Sequence, residues 1–271
     1  MKKIMVLGGD ERNFYLTEYL NENGYFAVWY ASELYKSYGE RYCMGDSVYP
    51  DMEIYDCVVL PLPLSRDGKN INCRFSDLAI PIDSLDSLLS GKTVFTSDGK
   101  VIDGFDYFAA QEVTFKNARF TAVGFLKELL LNTKSDIMGK KALVTGFGRV
   151  GKAVSKILID NGVAVTVAAR RAQARAEAEE TGCEAISIDE SREKIGKFDY
   201  IVNTVPFILF TEGDILKSKR NSIFFELAVG IPKGTVEEHC EYVDCKGMPG
   251  KHTPQSAGEA IADFIIQKLR E

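Results

Sequence analysis

A glycine-rich loop between an apolar run and a helical pattern limits the possible folds of this chain more than any other segment. The loop reads Gly146-Phe147-Gly148-Arg149-Val150-Gly151, and it joins the strand pattern 141–145 to a helical pattern at 149–161. This order is typical of the first turn of a Rossmann domain, in which the glycines permit a tight turn and let backbone amides approach a pyrophosphate. The amino terminus of the helix favours the same anion. The sequence therefore predicts a nicotinamide dinucleotide site, with a glycine-rich turn that binds nothing as the alternative.

The cofactor is expected to be NADP(H). Arg170 and Arg171 follow the next strand pattern, 164–168, at the place where an enzyme that uses NAD carries Asp or Glu for the ribose hydroxyls. Cations before the helix predicted at 172–180 are electrostatically unfavourable unless they bind an anion. A 2′-phosphate would accept their hydrogen bonds. NAD(H) is less favoured, and a pair of solvated surface arginines is the alternative.

A second part of the cofactor site is expected after the strand pattern 199–203. The residues there are Asn203, Thr204, Val205 and Pro206. Ligands of open α/β sheets bind at the carboxyl ends of the strands, so this segment should line the nicotinamide side. Asn-Thr-x-Pro is equally suited to a simple turn.

The chain is long enough for two domains of ordinary size. Strand and helix patterns alternate almost throughout, which predicts parallel sheets covered on both faces. In the first third the strand patterns lie at 3–7, 26–30, 56–60, 92–95 and 106–109, and in the second part at 141–145, 164–168, 184–187, 199–203, 222–227 and 242–244. A helix at 120–132 should bridge the two series. After a loop at 246–254, a last helix at 255–269 should return to the first domain.

The predicted fold class is therefore α/β, with two doubly wound parallel-sheet domains. The first, residues 1–117 with 253–271, is flavodoxin-like, and the second, residues 118–252, is a Rossmann domain for NADP. This arrangement is similar to that of D-2-hydroxyacid dehydrogenases.

Composition disfavours several classes of function. The formal charge is −6 and no long run of Lys or Arg occurs, so nucleic acid is not an expected partner. The apolar runs are too short for a membrane span, and the amino-terminal run is too short for a signal peptide, so we expect a cytoplasmic protein. The six cysteines form no CxxC pair, so neither a disulfide nor a bound metal is expected.

Three further segments complete a pattern that identifies a family. They are 8–12 (GGDER), 60–68 (LPLPLSRDG) and 247–258 (GMPGKHTPQSAG). Together with GFGRVG, the strand that ends in AAR, and NTVP, they resemble the A subunit of dipicolinate synthase over nearly the whole chain and in the family's order. The chain departs from the family pattern at 121–124 (TAVG), at 226–229 (ELAV) and at His252, where the family has an apolar residue.

The resemblance implies a cytoplasmic sporulation enzyme. Such a protein works with a flavoprotein-like B subunit to convert a dihydrodipicolinate-type precursor of the lysine pathway into dipicolinate. A second reading is a dehydrogenase of the same fold that acts on another small carboxylate. A third is a catalytically silent NADP-binding scaffold for a flavoprotein partner. A homo-oligomer is compatible with all three.

The substrate side is expected to hold a small dicarboxylate. Cations for the two carboxylates are available at Arg12, Arg66, Arg74 and Lys251. Ser65 and Asp67 lie in the same loop as Arg66 and are also predicted to bind substrate. Dehydration of a 4-hydroxy precursor needs a general acid, for which Lys251 and His252 are the candidates. The other histidine, His239, lies in an acidic stretch and is expected at the surface.

Overall fold

The structure is a computed structural model that describes residues 2–35 and 52–271. It divides into two compact units. Unit 1 comprises the described residues up to Lys116 together with Pro254–Glu271, and unit 2 comprises Asn117–Thr253. Cys43 lies outside the described residues.

Unit 1 is built on a parallel five-stranded sheet. Its elements up to the boundary are β1 (Lys3–Leu7), α1 (Glu11–Glu22), β2 (Phe26–Tyr30), β3 (Cys57–Val59), α2 (Leu85–Leu89), β4 (Thr93–Thr96) and β5 (Phe105–Asp106), followed by α3 (Gln111–Asn132), in which the boundary lies. The strand order is β2-β1-β3-β4-β5. This is the flavodoxin-like order, and its topological switch point lies between β1 and β3.

Unit 2 is built on a parallel six-stranded sheet. Its elements after α3 are β6 (Lys141–Thr145), α4 (Arg149–Asp160), β7 (Ala164–Ala168), α5 (Ala172–Glu180), β8 (Glu184–Ile186), α6 (Ile188–Lys194), β9 (Tyr200–Asn203), α7 (Glu212–Ile215), β10 (Ile223–Glu226), α8 (Lys233–His239), β11 (Glu241–Asp244) and α9 (Met248–His252), and the chain then forms α10 (Pro254–Arg270) of unit 1. The order β11-β10-β9-β6-β7-β8 is that of a Rossmann domain, with its switch point between β6 and β9. The predicted fold class is confirmed.

In unit 1, α10 packs against α1 on one face of the sheet. The apolar side chains of both helices, among them Leu16 and Ile265, join the core around Trp29. The two helices approach so closely at Gly258 that a β-carbon there would lie 2.3 Å from the carbonyl oxygen of Arg12. Glycine is therefore required at this crossing.

In unit 2, the second half of α3 covers the sheet. Phe125 of α3 meets Phe225 of β10 edge to face, with ring centroids 5.3 Å apart. Both rings are fully buried, and burial of each stabilises the fold by about 1.5–3 kcal/mol. Among the residues that the structure describes, no helix has both the length and the apolar character needed to cross a membrane.

Three local predictions are wrong. The strand expected at 106–109 is only β5, because the carboxylate of Asp106 accepts from the backbone N–H groups of Phe108 and Ala109 and turns the chain. The loop expected at 246–254 contains α9, since Pro249 lies in its first turn, where proline is tolerated, and Met248 anchors it in the core. The bridging helix begins at Gln111 rather than at residue 120.

Candidate dinucleotide and substrate sites

The glycine-rich loop has the geometry of a phosphate-binding turn. Gly146 has a φ of 82°, in the left-handed region that favours glycine. A β-carbon on Gly151 would lie 2.3 Å from the carbonyl oxygen of Gly146, so the first turn of α4 can close on the loop only with glycine there. Gly148 caps α4 without a side-chain hydrogen bond, and the space beside its α-carbon is open. The backbone at the amino end of α4 is thus accessible to an anion.

The side chains of the loop have different environments. Phe147 is buried in the core of unit 2, and Val150 packs against the same core. Arg149 is exposed. Contact with a pyrophosphate would therefore come from the loop backbone rather than from Phe147.

Three polar side chains form a row across the switch point of unit 2. Thr145, Asn203 and Glu226 are register partners at the carboxyl ends of β6, β9 and β10. The Thr145 hydroxyl donates to Asn203 Oδ1 at 2.6 Å, and Asn203 Nδ2 donates to Glu226 Oε1 at 2.7 Å. All three residues are buried, so the row fixes the orientation of the Asn203 amide.

The segment after β9 is held against the glycine-rich loop. The Thr204 hydroxyl donates to the carbonyl oxygen of Thr145 at 2.6 Å. A β-carbon on Gly146 would lie 2.5 Å from Val205 Cγ1. The structure thus brings the two predicted parts of the cofactor site together, with Pro206 exposed at the edge.

Glu226, which in the sequence is only part of a departure from the family pattern, organises this region through its hydrogen bonds. Besides Asn203, its carboxylate accepts from the backbone N–H groups of Ala228, Gly230 and Ile231. All four partners donate, which is the pattern of an ionised carboxylate. The signal in the sequence is an acid at the end of an otherwise apolar strand.

The arginines after β7 lie at the tip of that strand. Arg170 and Arg171 are exposed, and Arg171 caps α5 without a side-chain hydrogen bond. Arg175 donates to the carbonyl oxygens of Ala169 and Arg170, which holds the turn. The Arg170 guanidinium lies 5.5 Å from the centre of the Phe207 ring in the segment after β9. In the described part of the chain, neither Arg170 nor Arg171 forms an ion pair with an acid.

In unit 1, Asp10 and Arg12 form a buried ion pair at the switch point. Arg12 Nε and Nη2 donate to the two carboxylate oxygens of Asp10 at 2.8 Å each. Burial raises the pKa of Asp10, but the hydrogen bonds and charge of Arg12, together with the charge of Arg74, outweigh it, so that the pKa lies below its usual value. Asp10 also caps α1 in a capping box with Asn13.

The loop after β3 is fixed through three consecutive carbonyl groups. The carbonyl oxygen of Leu60 accepts from the Tyr107 hydroxyl at 2.8 Å, and that of Pro61 accepts from the Ser97 hydroxyl at 2.6 Å. The carbonyl oxygen of Leu62 accepts from Arg12 Nη2. Arg12 therefore joins the first turn of α1 to this loop.

Ser65 and Asp67 stabilise the turn that follows. Asp67 Oδ1 accepts from the backbone N–H groups of Lys69 and Asn70 at 2.8 Å, and Ser65 Oγ donates to the same oxygen at 3.0 Å. Hydrogen bonds from the backbone and side chain of Asn70 lower the pKa of Asp67. Arg66 is exposed, and its Nε donates to Asn72 Oδ1 at 3.0 Å.

Lys251 and His252 lie at the end of α9 in unit 2. His252 Nε2 is 2.7 Å from Glu128 Oε1 of α3, and both side chains are largely buried. Glu128 is not recognisable as a site residue from the sequence, because its contact with His252 spans 124 positions. Lys251 is exposed, and its Nζ donates to the carbonyl oxygen of Asp244 at 3.4 Å. His239 is half-buried, with Nε2 3.0 Å from the carbonyl oxygen of Ser218.

Nothing among residues 2–35 and 52–271 resembles a metal centre, since no three His, Cys, Asp or Glu side chains come together as ligands.

Both units match known families. Residues 3–100 match the N-terminal domain of the dipicolinate synthase A subunit, and residues 110–223 match the NAD binding domain of D-isomer specific 2-hydroxyacid dehydrogenases. Among curated proteins, none matches the sequence.

Solved structures share the fold. The dipicolinate synthase A subunit from Bacillus halodurans is 20% identical with a TM-score of 0.85, and the match covers 100% of this chain and 98% of that one. The A chain of dipicolinate synthase from Bacillus subtilis is 20% identical with a TM-score of 0.81, covering 99% and 96%. Transhydrogenase from Sinorhizobium meliloti is 13% identical with a TM-score of 0.62, covering 98% and 93%.

The chain is an NAD(P)-dependent oxidoreductase. This class follows from the Rossmann topology, the geometry of the glycine-rich turn and the match of residues 110–223. The first unit makes the class more specific. Residues 3–100 match the model of the N-terminal domain of the dipicolinate synthase A subunit, and the resemblance inferred from the sequence motifs is confirmed.

Proposed function

We propose that the protein is an NADP-dependent oxidoreductase subunit that forms dipicolinate from a dihydrodipicolinate-type precursor of the lysine pathway. The observation that carries this proposal is the joining of an N-terminal domain of the dipicolinate synthase family to an NAD-binding domain in one chain. The setting would be the cytoplasm of a sporulating cell. A flavoprotein-like B subunit is the proposed partner.

The cofactor would bind along the carboxyl ends of β6, β7 and β9. The backbone of residues 146–151 would hold the pyrophosphate, and the row of Thr145, Asn203 and Glu226 would hold residues 203–206 beside the nicotinamide. A bound nicotinamide would accept a hydride from the substrate ring, and loss of that hydride together with a proton would make the ring of the product an aromatic pyridine. Because aromatisation favours the reaction, the residues of the chain need mainly to orient the substrate.

The preference for NADP over NAD rests on Arg170 and Arg171. Both guanidinium groups are exposed and neither pairs with an acid in the part of the chain that the structure describes. The carbonyl oxygens of the turn are already bonded by Arg175, so the other two arginines can serve a 2′-phosphate.

Calorimetric titration with NADP⁺ and NAD⁺ tests this preference. Replacing both residues, Arg170→Ala with Arg171→Ala, should weaken NADP⁺ binding by about tenfold or more and leave NAD⁺ binding unchanged. Arg220→Ala, an exposed arginine beyond the amino-terminal end of the sheet, is the matched control. Equal affinities of the wild type for the two cofactors would contradict the proposal.

In unit 1, the proposed substrate-binding residues are Arg12, Ser65, Arg66 and Asp67. In unit 2, the proposed acid–base groups are Lys251 and His252. The Glu128 carboxylate faces His252 Nε2, so it would hold the proton on that nitrogen and leave Nδ1 to exchange a proton with substrate. Dehydration of a 4-hydroxy precursor needs a proton at the leaving hydroxyl, which this histidine or Lys251 would supply.

Turnover is measured with the purified chain, NADP⁺ and the precursor, with and without a flavoprotein-like partner. Formation of both NADPH and dipicolinate supports the proposal. NADPH formation with another small carboxylate, and none with the precursor, would indicate a different dehydrogenase. Cofactor binding without turnover of any carboxylate, with the partner present, would indicate a silent scaffold.

A further inference from the structure

We infer that Arg66 and Arg74 bind the two carboxylates of the substrate, and that Arg12 positions the loop that follows β3. The inference rests on the proposed function, because it deepens the assignment of a dicarboxylate to unit 1. Arg12, Arg66 and Arg74 are linked to the Gly8-Gly9 turn at the end of β1. They differ in burial and in hydrogen bonding, since Arg12 is buried and the other two are exposed.

Arg12 has little capacity left for a ligand. It is only 7% exposed, and two of its three nitrogens are bonded to the carboxylate of Asp10. Its Nη2 also donates to the carbonyl oxygen of Leu62. A substrate carboxylate that took over the two nitrogens bound to Asp10 would break a buried ion pair, which is costly because it leaves Asp10 without its partner. We therefore assign Arg12 a positioning role, through its hydrogen bonds to Asp10 and to the Leu62 carbonyl oxygen.

In the part of the chain that the structure describes, the guanidinium group of Arg66 is hydrogen-bonded through Nε only. Its Nε donates to Asn72 Oδ1, while its two terminal nitrogens have no hydrogen-bond partner among the described residues. The nearby carboxylate of Asp67 is occupied by Ser65, Lys69 and Asn70. The terminal nitrogens of Arg66 thus remain available as a two-pronged donor, which is the geometry that carboxylates bind best.

Asn72 connects Arg66 to the turn after β1. Its carbonyl oxygen accepts from the backbone N–H of Gly9 at 2.6 Å, and the residue is only 6% exposed. A guanidinium can only donate, so the atom of Asn72 that faces Arg66 is the amide oxygen. The orientation of Arg66 is consequently fixed by the backbone of the switch point.

Arg74, two residues after Asn72, contacts the same turn through its backbone. Its backbone N–H donates to the carbonyl oxygen of Gly9 at 2.9 Å. The backbone of Gly9 is therefore hydrogen-bonded to Asn72 through its N–H and to Arg74 through its carbonyl oxygen. Its guanidinium is exposed, lies 5.8 Å from the centre of the Phe75 ring, and forms no ion pair within the described ranges. The charge of Arg74 also helps to lower the pKa of Asp10.

The side chain of Arg66 and the backbone of Arg74 are tied to the same turn through Asn72 and Gly9, and both guanidinium groups are exposed in a chain of net charge −6. An anion that contacts both would match their charge. Each can form a paired set of hydrogen bonds with one carboxylate. A rigid planar dicarboxylate, with its two groups held apart by a ring, satisfies both at once. The substrate class assigned to unit 1 is therefore a small dianion rather than a monocarboxylate.

The test uses the full chain with dipicolinate and with picolinate, its monocarboxylate analogue, as calorimetric probes. Arg66→Ala and Arg74→Ala should each weaken dipicolinate binding by about tenfold to a hundredfold. Picolinate should bind more weakly than dipicolinate to the wild type and should be affected by only one of the two substitutions. NADP⁺ affinity should be unchanged in both variants.

Arg270→Ala is the matched control, because Arg270 is an exposed arginine of unit 1 at the end of α10. It should bind dipicolinate as the wild type does. An equal loss in this control would show that only overall charge matters, and wild-type affinity in Arg66→Ala and Arg74→Ala would overturn the inference directly.

Two further readouts separate the inference from the proposed function. Arg12→Ala should lower the urea midpoint of unfolding, whereas Arg66→Ala and Arg74→Ala should leave it unchanged. If the wild type forms dipicolinate and the two variants bind it normally, the inference fails and the proposed function stands. If the wild type binds NADP⁺ but neither binds dipicolinate nor forms it with the partner present, both fail.

Discussion

Replacement of Glu226 by Gln should destabilise unit 2 far more than such a conservative change usually does. The wild-type carboxylate accepts hydrogen bonds from Asn203 Nδ2 and from the backbone N–H groups of Ala228, Gly230 and Ile231. A glutamine has one oxygen and one NH₂ group. If the oxygen keeps Asn203 and Ala228, the NH₂ group must face the other two N–H groups, and no rotation of the amide satisfies all four.

The magnitude follows from the two donors that lose their acceptor. Ile231 is 9% exposed, and each buried donor left without a partner costs about 1–3 kcal/mol. For two such donors the free energy of unfolding should therefore fall by about 2–6 kcal/mol. Glu241→Gln, at an exposed position on β11, should change it by less than about 0.5 kcal/mol.

Urea titration followed by circular dichroism measures both variants under the same conditions. NADP⁺ affinity should fall in Glu226→Gln as well, because the row from Thr145 to Glu226 holds the segment after β9. A free energy of unfolding within about 0.5 kcal/mol of the wild type would refute the reasoning, since it would mean that loss of the hydrogen bonds to Gly230 and Ile231 costs nothing net.

Three other substitutions test separate parts of the fold and the site. Gly151→Ala should weaken NADP⁺ binding by at least about tenfold in calorimetry, because its β-carbon would lie 2.3 Å from the Gly146 carbonyl oxygen; unchanged affinity would contradict the role of the loop. Gly258→Ala should lower the free energy of unfolding by about 1–3 kcal/mol, whereas Gly234→Ala, where a β-carbon meets open space, should not lower it. Asp10→Asn removes the carboxylate of the buried ion pair, whose pKa is lowered in the folded protein. The ion pair therefore stabilises the fold above the unfolded pKa of about 4, and this contribution is lost as the pH falls through the folded pKa. The loss of unfolding free energy in this variant should be about 3–5 kcal/mol at neutral pH and should shrink in acid, and a loss independent of pH would count against the ion pair.

The sequence was sufficient to predict the fold class because its signals are local. Apolar runs of strand length alternate with helical periodicity, and each series implies a parallel sheet. The boundaries of β1, β2, β6 and β7 agree with the predicted ones. Predictions failed where one side chain overrides the pattern, as Asp106 does at β5, or where burial of a single residue stabilises a short helix, as Met248 does in α9.

The candidate site was predictable only in part, because its hydrogen bonds depend on strand register. Thr145, Asn203 and Glu226 are separated by up to 81 positions but are neighbours across β6, β9 and β10. The motif NTVP could be recognised from the sequence, whereas the carboxylate that fixes it could not. The same applies to Glu128, which the sequence places in an ordinary helix and the structure places beside His252.

The return of α10 to unit 1 imposes an order on synthesis. The ribosome makes α1 early, then all of unit 2, and only afterwards the helix that covers α1. Until then, apolar side chains of α1 such as Leu16 and Leu20 have no partner from α10, although both are buried in the finished fold. Unit 2 is continuous in sequence and can fold while it emerges, so the nascent chain should carry a folded unit 2 while unit 1 is still incomplete. That interval is when this protein is most exposed to chaperones and proteases.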